Sequence, residues 1–67
     1  MKTVVKVDQM NCEHCAARVK DAILELDNVK RVKVNLETKE VKIVYKDELD
    51  LDRVKQLVTD AGYVFLG

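Results

Sequence analysis

Two cysteines, Cys12 and Cys15, are the residues whose chemistry is easiest to interpret. They lie three positions apart in the string Met10-Asn11-Cys12-Glu13-His14-Cys15 and are the only cysteines among 67 residues. A pair so close in sequence cannot staple distant loops, so it does not predict a disulfide scaffold. In a reducing compartment both residues remain thiols. We therefore predict that they bind a metal ion.

The position of the pair at the start of a predicted helix favours thiolates. Free N–H groups and the positive end of the helix dipole stabilise negative charge, so we expect both thiols to have a pKa below the free value of ~8.5. Soft thiolates select soft ions, with Cu(I) first. Cu(I) accepts two nearly linear sulfur ligands, whereas Zn(II) prefers about four ligands in a tetrahedron. Coordination number therefore favours Cu(I), and Zn(II), Cd(II) and Hg(II) are the alternatives.

The elements that position the thiols follow from the spacing of apolar residues. Alternating apolar residues predict strands, and spacings of three and four predict helices. Asp50 can cap the second helix, and Gly62 can end it. The predicted strands cover residues 2–8, 29–36, 41–45 and 63–66, and the predicted helices cover residues 13–26 and 51–61.

The element order β-α-β-β-α-β predicts the fold. Two helices with one apolar stripe each need a single apolar sheet face to cover them. Right-handed crossovers then place the third strand between the first and the second. We predict one α+β domain over residues 1–67, a ferredoxin-like open-faced sandwich with a four-stranded antiparallel sheet and two helices on one face. Cys12 then lies in the loop after the first strand, and Cys15 lies in the first turn of the helix.

Two neighbours of the cysteines could take part in the site. Met10 offers a third sulfur, but methionine is a versatile gap-filler, and we expect it to fill the core and hold the loop. His14 should point outward at a helix start. It is either a solvated histidine or an auxiliary ligand in a dimer or a transfer intermediate.

The motif Met10-x-Cys12-x-x-Cys15 between the first strand and the first helix, together with Gly62-Tyr63, resembles the heavy-metal-associated domain family. The likeness spans nearly the whole chain and is greatest to small bacterial copper chaperones. It implies that the two cysteines bind Cu(I) and pass it, by thiolate exchange, to a copper-transporting P-type ATPase or a copper-responsive regulator. Tyr63 would then shield the loop and tune the thiolates, unless it is an ordinary packed tyrosine. One departure is Gln9, where the family usually has glycine.

The balance of charges and the composition of one sheet face argue against nucleic acid as a partner. Twelve Lys and Arg balance twelve Asp and Glu, which argues against a polycation built for nucleic acid. The predicted sheet face away from the helices has no aromatic residue on which bases could stack, so RNA binding is not expected. We interpret this face as solvated. Its predicted charges are Lys2, Lys6, Arg31, Lys33, Lys42 and Lys46, offset by Asp8.

Other classes of function fit less well. No apolar run reaches the ~20 residues of a membrane span, and no signal peptide is evident, so we expect a cytoplasmic protein without membrane insertion. A thiol–disulfide oxidoreductase is the alternative from another class, but the chain lacks the proline that such enzymes place opposite their thiols. We predict a carrier rather than an enzyme. The carrier should be a monomer without metal, and it could form a metal-bridged dimer. The alternative function is that of a carrier, or a module of an ATPase, for another heavy metal.

Overall fold

The computed structural model describes residues 1–67 and confirms the predicted order of elements. Four strands form one sheet, and the two helices cover one of its faces. The strands are β1 (Lys2–Asp8), β2 (Val29–Asn35), β3 (Glu40–Tyr45) and β4 (Val64–Phe65), and the helices are α1 (Glu13–Leu24) and α2 (Leu51–Asp60).

The strand order is β2-β3-β1-β4, and all neighbouring pairs are antiparallel. The third strand therefore lies between the first two, as predicted. Val5 pairs with Val41 in the centre of the sheet, and both side chains are buried. This register directs alternate residues of β1 and β3 toward the helices, and the α+β ferredoxin-like sandwich is confirmed.

The core between sheet and helices is entirely apolar. Because no polar side chain is buried, burial of apolar surface is what holds the helices on the sheet. Val19 and Ile23 of α1 and Val54 and Val58 of α2 have no exposed surface. The eleven buried residues are Val5, Val7, Met10, Val19, Ile23, Val29, Val32, Val41, Ile43, Val54 and Val58.

Several boundaries differ from prediction by one or two residues. Helix α1 ends at Leu24 rather than at residue 26, because the last turn tightens through a bond from the Leu26 N–H to the Ile23 carbonyl of 3.1 Å. Leu26 still packs against the core. Strand β4 is two residues long, and β2 ends at Asn35, whose side-chain oxygen accepts bonds from the N–H groups of the following turn.

The faces of three elements also differ from the predicted pattern. A register shift between Val29 and Arg31 interrupts regular alternation in β2. Strand β3 begins at Glu40, so a second carboxylate joins Asp8 on the side of the sheet away from the helices. Leu51, predicted within the apolar stripe of α2, is 47% exposed because it is the first residue after the cap.

Asp50 and Gly62 flank the second helix as its sequence predicts, although the helix ends at Asp60 rather than at residue 61. The Asp50 side chain accepts bonds from the N–H groups of Asp52 and Arg53 at 3.0 and 3.3 Å, and Gly62 follows the helix with φ of 97°. The chain therefore turns back at Tyr63 and reaches the end of β1. Neither helix has the length and apolar character needed to cross a membrane.

Candidate metal centre

Cys12 lies at the N-cap of α1, and its thiol is free of any capping role. Its backbone is extended, with φ of −157° and ψ of 172°, and its side chain makes no cap bond. Its carbonyl accepts the Ala16 N–H at 3.1 Å, which begins the helix. Cys15 follows in the first helical turn. The side chain of Cys12 is exposed, and that of Cys15 is half-buried against the core.

The structure brings the two sulfurs together. The Sγ atoms of Cys12 and Cys15 lie 3.4 Å apart, and both cysteines are free thiols. When two thiolates share one ion and each binds it at about 2.3 Å, the Zn–S distance, the two sulfurs can be at most about 4.6 Å apart. The observed separation is within that limit. For a linear S–Cu–S arrangement, the distance between the two Sγ atoms needs to increase only slightly.

Tyr63 is the largest influence on the acidity of Cys15. Its hydroxyl, beside the thiol, lowers the pKa of Cys15 to about 7, with further contributions from the Cys12 side chain and from backbone amides of Asn11 and Cys12. The expectation of a lowered pKa therefore holds for Cys15. The largest cause of this lowered pKa is the hydroxyl of Tyr63, near the other end of the chain, rather than the start of the helix.

Arg18 is a residue that sequence reasoning did not single out. Its guanidinium interacts with the Tyr63 hydroxyl and favours the ionised phenol, although Cys15 and burial together raise the pKa of Tyr63. Arg18 is three positions after Cys15 on α1. Residues at that spacing share one side of a helix, so the spacing could have indicated that Arg18 lies near the thiols.

Met10 and His14 lie in opposite environments. Met10 is 7% exposed and belongs to the apolar core, where its side chain packs with buried valines. His14 is exposed to solvent. No three His, Cys, Asp or Glu side chains converge anywhere in the chain in a way that could hold a metal ion. The two sulfurs are therefore the only pair of close soft donors in this loop, without a third ligand of those types beside them.

Gln9 adopts a conformation that favours glycine. Its φ is 70°, in the left-handed region that costs an L-residue roughly 1–2 kcal/mol. Its N–H donates to the Asp8 carboxylate at 2.8 Å, and that carboxylate also pairs with Lys39 at 2.9 Å. Gln9 thus adopts, at the expense of backbone strain, a conformation that glycine would adopt freely.

A comparison with known protein families gives a match that covers most of the chain. The model of the heavy-metal-associated domain matches residues 4–64. A similar curated protein is the copper chaperone CopZ of Staphylococcus epidermidis, which is 33% identical over 61 residues, 90% of each chain.

Solved structures show the same fold. A structure described as a CopZ metallochaperone superposes with a TM-score of 0.92 at 30% identity, and covers 98% of this chain and 100% of its own. A copper-binding domain from a P-type ATPase superposes with a TM-score of 0.85 at 25% identity over 98% of this chain and 93% of its own. The similarity thus extends to free-standing chaperones and to a domain of a transporter.

Proposed function

The chain belongs to the heavy-metal-associated domain family, and we propose that it is a cytoplasmic carrier of Cu(I). In this proposal, Cys12 and Cys15 hold one Cu(I) ion and deliver it to a copper-transporting P-type ATPase. The observation that carries the proposal is the 3.4 Å separation of two free sulfurs at an exposed helix start. The similarity to a copper chaperone over 90% of the chain supports the same metal.

The donor set favours Cu(I) over Zn(II). Thiolates are soft ligands, and two of them complete the shell of Cu(I), whereas Zn(II) takes about four ligands. Because no third His, Cys, Asp or Glu converges on the pair, Zn(II) in a single molecule would need water or a ligand from another chain. Cd(II) and Hg(II) share the affinity for thiolates and are the competing cargoes.

Transfer would proceed by exchange of thiolates. A partner thiolate adds to Cu(I) as a third ligand, and the bond from copper to one carrier sulfur then breaks. We expect Cys12 to leave first, since it is exposed, while Cys15 is half-buried beside Tyr63. Repetition of the step at Cys15 frees the ion. The departing thiolates can then take up the protons that the partner thiols released, and copper stays Cu(I) throughout.

The partner in this proposal is a second domain of the same fold. A copper-binding domain of a P-type ATPase shares this architecture. In this proposal, such a domain docks on the carrier and accepts the ion through thiolates of its own. A copper-responsive regulator is the alternative recipient. The carrier is a monomer without metal, and His14, exposed between the cysteines, is available as an auxiliary ligand in a metal-bridged dimer.

The proposal is tested by anaerobic competition for Cu(I) against a strong chelator, with Zn(II) and Hg(II) titrated in parallel. We expect one Cu(I) per chain and a higher affinity for Cu(I) than for Zn(II). Cys12→Ser and Cys15→Ser should each abolish binding in the presence of the chelator without unfolding the chain. Ala16→Ser, which adds a hydroxyl next to Cys15, is the matched control and should bind normally. Unit stoichiometry in either cysteine variant would overturn the assignment.

Delivery needs its own measurement. The Cu(I)-loaded carrier is mixed with an apo metal-binding domain of a copper-transporting ATPase, the two are separated, and copper is measured in each fraction. We expect copper to equilibrate rapidly between them at a chelator concentration that blocks exchange through free ions. Exchange no faster than release into the chelator would refute direct transfer.

A further inference from the structure

The face of the sheet that points away from the helices carries five of the twelve cationic side chains of the molecule. We call it the open face. Its outward side chains include Lys2 and Lys6 of β1 and Arg31, Lys33 and Lys42 of the neighbouring strands, all exposed. No other element covers these side chains.

Zero net charge conceals a separation between two layers. The strand-bearing segments, residues 2–8 and 29–46, contain eight Lys and Arg against three Asp and Glu, a net charge of +5. The helix-bearing segments, residues 9–28 and 47–63, contain four against nine, a net charge of −5. A charged surface that faces the molecule would therefore orient it strongly, although the total charge is zero.

Strand pairing leaves positive charges opposed at the centre of the open face. Lys33 lies directly opposite Lys42, and such like-charge pairs destabilise a sheet. Only two carboxylates share this face. Asp8 is already paired with Lys39 at 2.9 Å, and Glu40 lies opposite Lys6. The central cations therefore lack partners in the chain, and an anionic surface would supply them.

Apolar side chains lie on the same face. Val4 pairs with Lys42 and is 49% exposed, Val64 pairs with Asp8 and is 40% exposed, and Leu66 is 55% exposed. The Leu66 N–H donates to the Lys6 carbonyl at 2.8 Å, which holds this residue at the edge of the sheet. The open face thus combines dispersed cations with exposed apolar groups.

This combination favours one class of ligand. Lys33 and Lys42 line a hollow of this face together with Glu40, whose carboxylate disfavours a small anion there. The other cations lie apart from it on β1 and β2, so they do not converge on a single small anion. Lysine is depleted and aromatic residues are enriched in protein interfaces, whereas this face is rich in lysine and has no aromatic side chain. The same lack of aromatic residues excludes base stacking. Basic residues mixed with apolar ones are typical of surfaces that lie on anionic membranes.

We propose that the open face docks the protein on the surface of an anionic lipid bilayer. The docking is peripheral and electrostatic, and no part of the chain crosses the bilayer. Because α1 and its first turn belong to the opposite layer, Cys12 and Cys15 stay accessible to a partner. The inference is independent of the bound metal, so it can fail while the proposed carrier function holds.

The test is sedimentation of the intact, metal-free protein with phosphatidylcholine vesicles that contain or lack phosphatidylglycerol. We expect binding only to the anionic vesicles, and weaker binding as salt is raised. A triple variant, R31Q/K33Q/K42Q, should bind about 100-fold more weakly, since each cation near an anionic surface contributes about fivefold. The matched control is K20Q/R53Q/K55Q, which removes three cations from the helices and should bind within a few-fold of the wild type.

The controls make each outcome decisive. Circular dichroism should show both triple variants folded, since all six side chains are exposed. No sedimentation with anionic vesicles at low salt would overturn the proposal, and so would equal losses in the two triple variants. Tighter binding to soluble polyglutamate than to vesicles would also overturn it and would assign the open face to an acidic protein.

Discussion

The hydroxyl of Tyr63, which follows α2, lies beside the thiol of Cys15 in the first turn of α1. It is the largest of the influences that lower the pKa of that thiol to about 7, ahead of the Cys12 side chain. The contact depends on the short reversal at Gly62, which returns the chain toward the end of β1. It brings the segment that follows α2 next to the start of α1 at the candidate metal centre. Several measurable properties of the thiols depend on this contact.

Tyr63→Phe should raise the pKa of Cys15 toward the ~8.5 of a free thiol, because it removes the largest stabilising influence on the thiolate. At pH 7, alkylation of Cys15 should then slow by up to about tenfold. Site-resolved alkylation across a pH series measures this change. Tyr45→Phe, another half-buried tyrosine, is the control. Equal alkylation profiles for the wild type and Tyr63→Phe would contradict the assignment.

The same pKa predicts how stability depends on pH. A thiol whose pKa is lower in the folded than in the unfolded state stabilises the fold above its unfolded pKa. The contribution of Cys15 should therefore grow as pH rises from about 7 to about 8.5 and be lost as pH falls through about 7. Urea unfolding of the metal-free protein at several pH values tests this sign, with Cys15→Ser as the variant in which the change should shrink.

Gln9→Gly should stabilise the protein by about 1 kcal/mol, because glycine adopts a φ of 70° without the clash that an L side chain suffers. A gain of that size raises the melting temperature of a small domain by about 4–8 °C. Gln56→Gly makes the same substitution inside α2, where it should cost about 1 kcal/mol. Thermal melts of both variants check the prediction, which fails if Gln9→Gly also destabilises.

Met10→Leu should leave Cu(I) stoichiometry and affinity unchanged, since Met10 is a buried core residue in this account rather than a ligand. The substitution conserves volume and should change stability by less than about 1.5 kcal/mol. Met10→Ala leaves a cavity and should cost roughly 2–5 kcal/mol. Chelator competition and urea unfolding of the two variants separate packing from ligation. A folded Met10→Leu variant with weakened Cu(I) binding would identify the thioether as a ligand.

Cu(I) should raise the melting temperature, because a ligand that binds only the folded state stabilises it by mass action. At a free concentration 100-fold above the dissociation constant, the gain is about 2.7 kcal/mol. Differential scanning calorimetry under anaerobic conditions measures the shift. Cys12→Ser should show none, and a full shift in that variant would place the ion elsewhere.

Local signals were enough to predict much of this molecule. Asp50 was identified as a cap from its residue type and position, and Gly62 as a stop, and both predictions are confirmed. The spacing of Cys12 and Cys15 predicted that their sulfurs could converge, because the start of a helix has a fixed geometry. The strand order also followed, since the handedness of crossovers leaves few alternatives.

Features that depend on contacts distant in sequence were not predicted. The interaction of Arg18 with Tyr63 depends on how the end of α2 meets α1, which no local pattern specifies. The register shift at Val29 arises from pairing with β3. Gln9 is a departure from a usual glycine, but its positive φ depends on the backbone path after Asp8, which no local pattern specifies.

We propose that two thiolates, and no other side chain, hold one Cu(I) ion in the monomer. X-ray absorption at the copper edge of the loaded monomer tests it most directly, because it counts the atoms bound to copper. We expect two sulfur neighbours, from Cys12 and Cys15, and no nitrogen or oxygen neighbour. A bound nitrogen or oxygen, or an unchanged spectrum in Cys15→Ser, would contradict it.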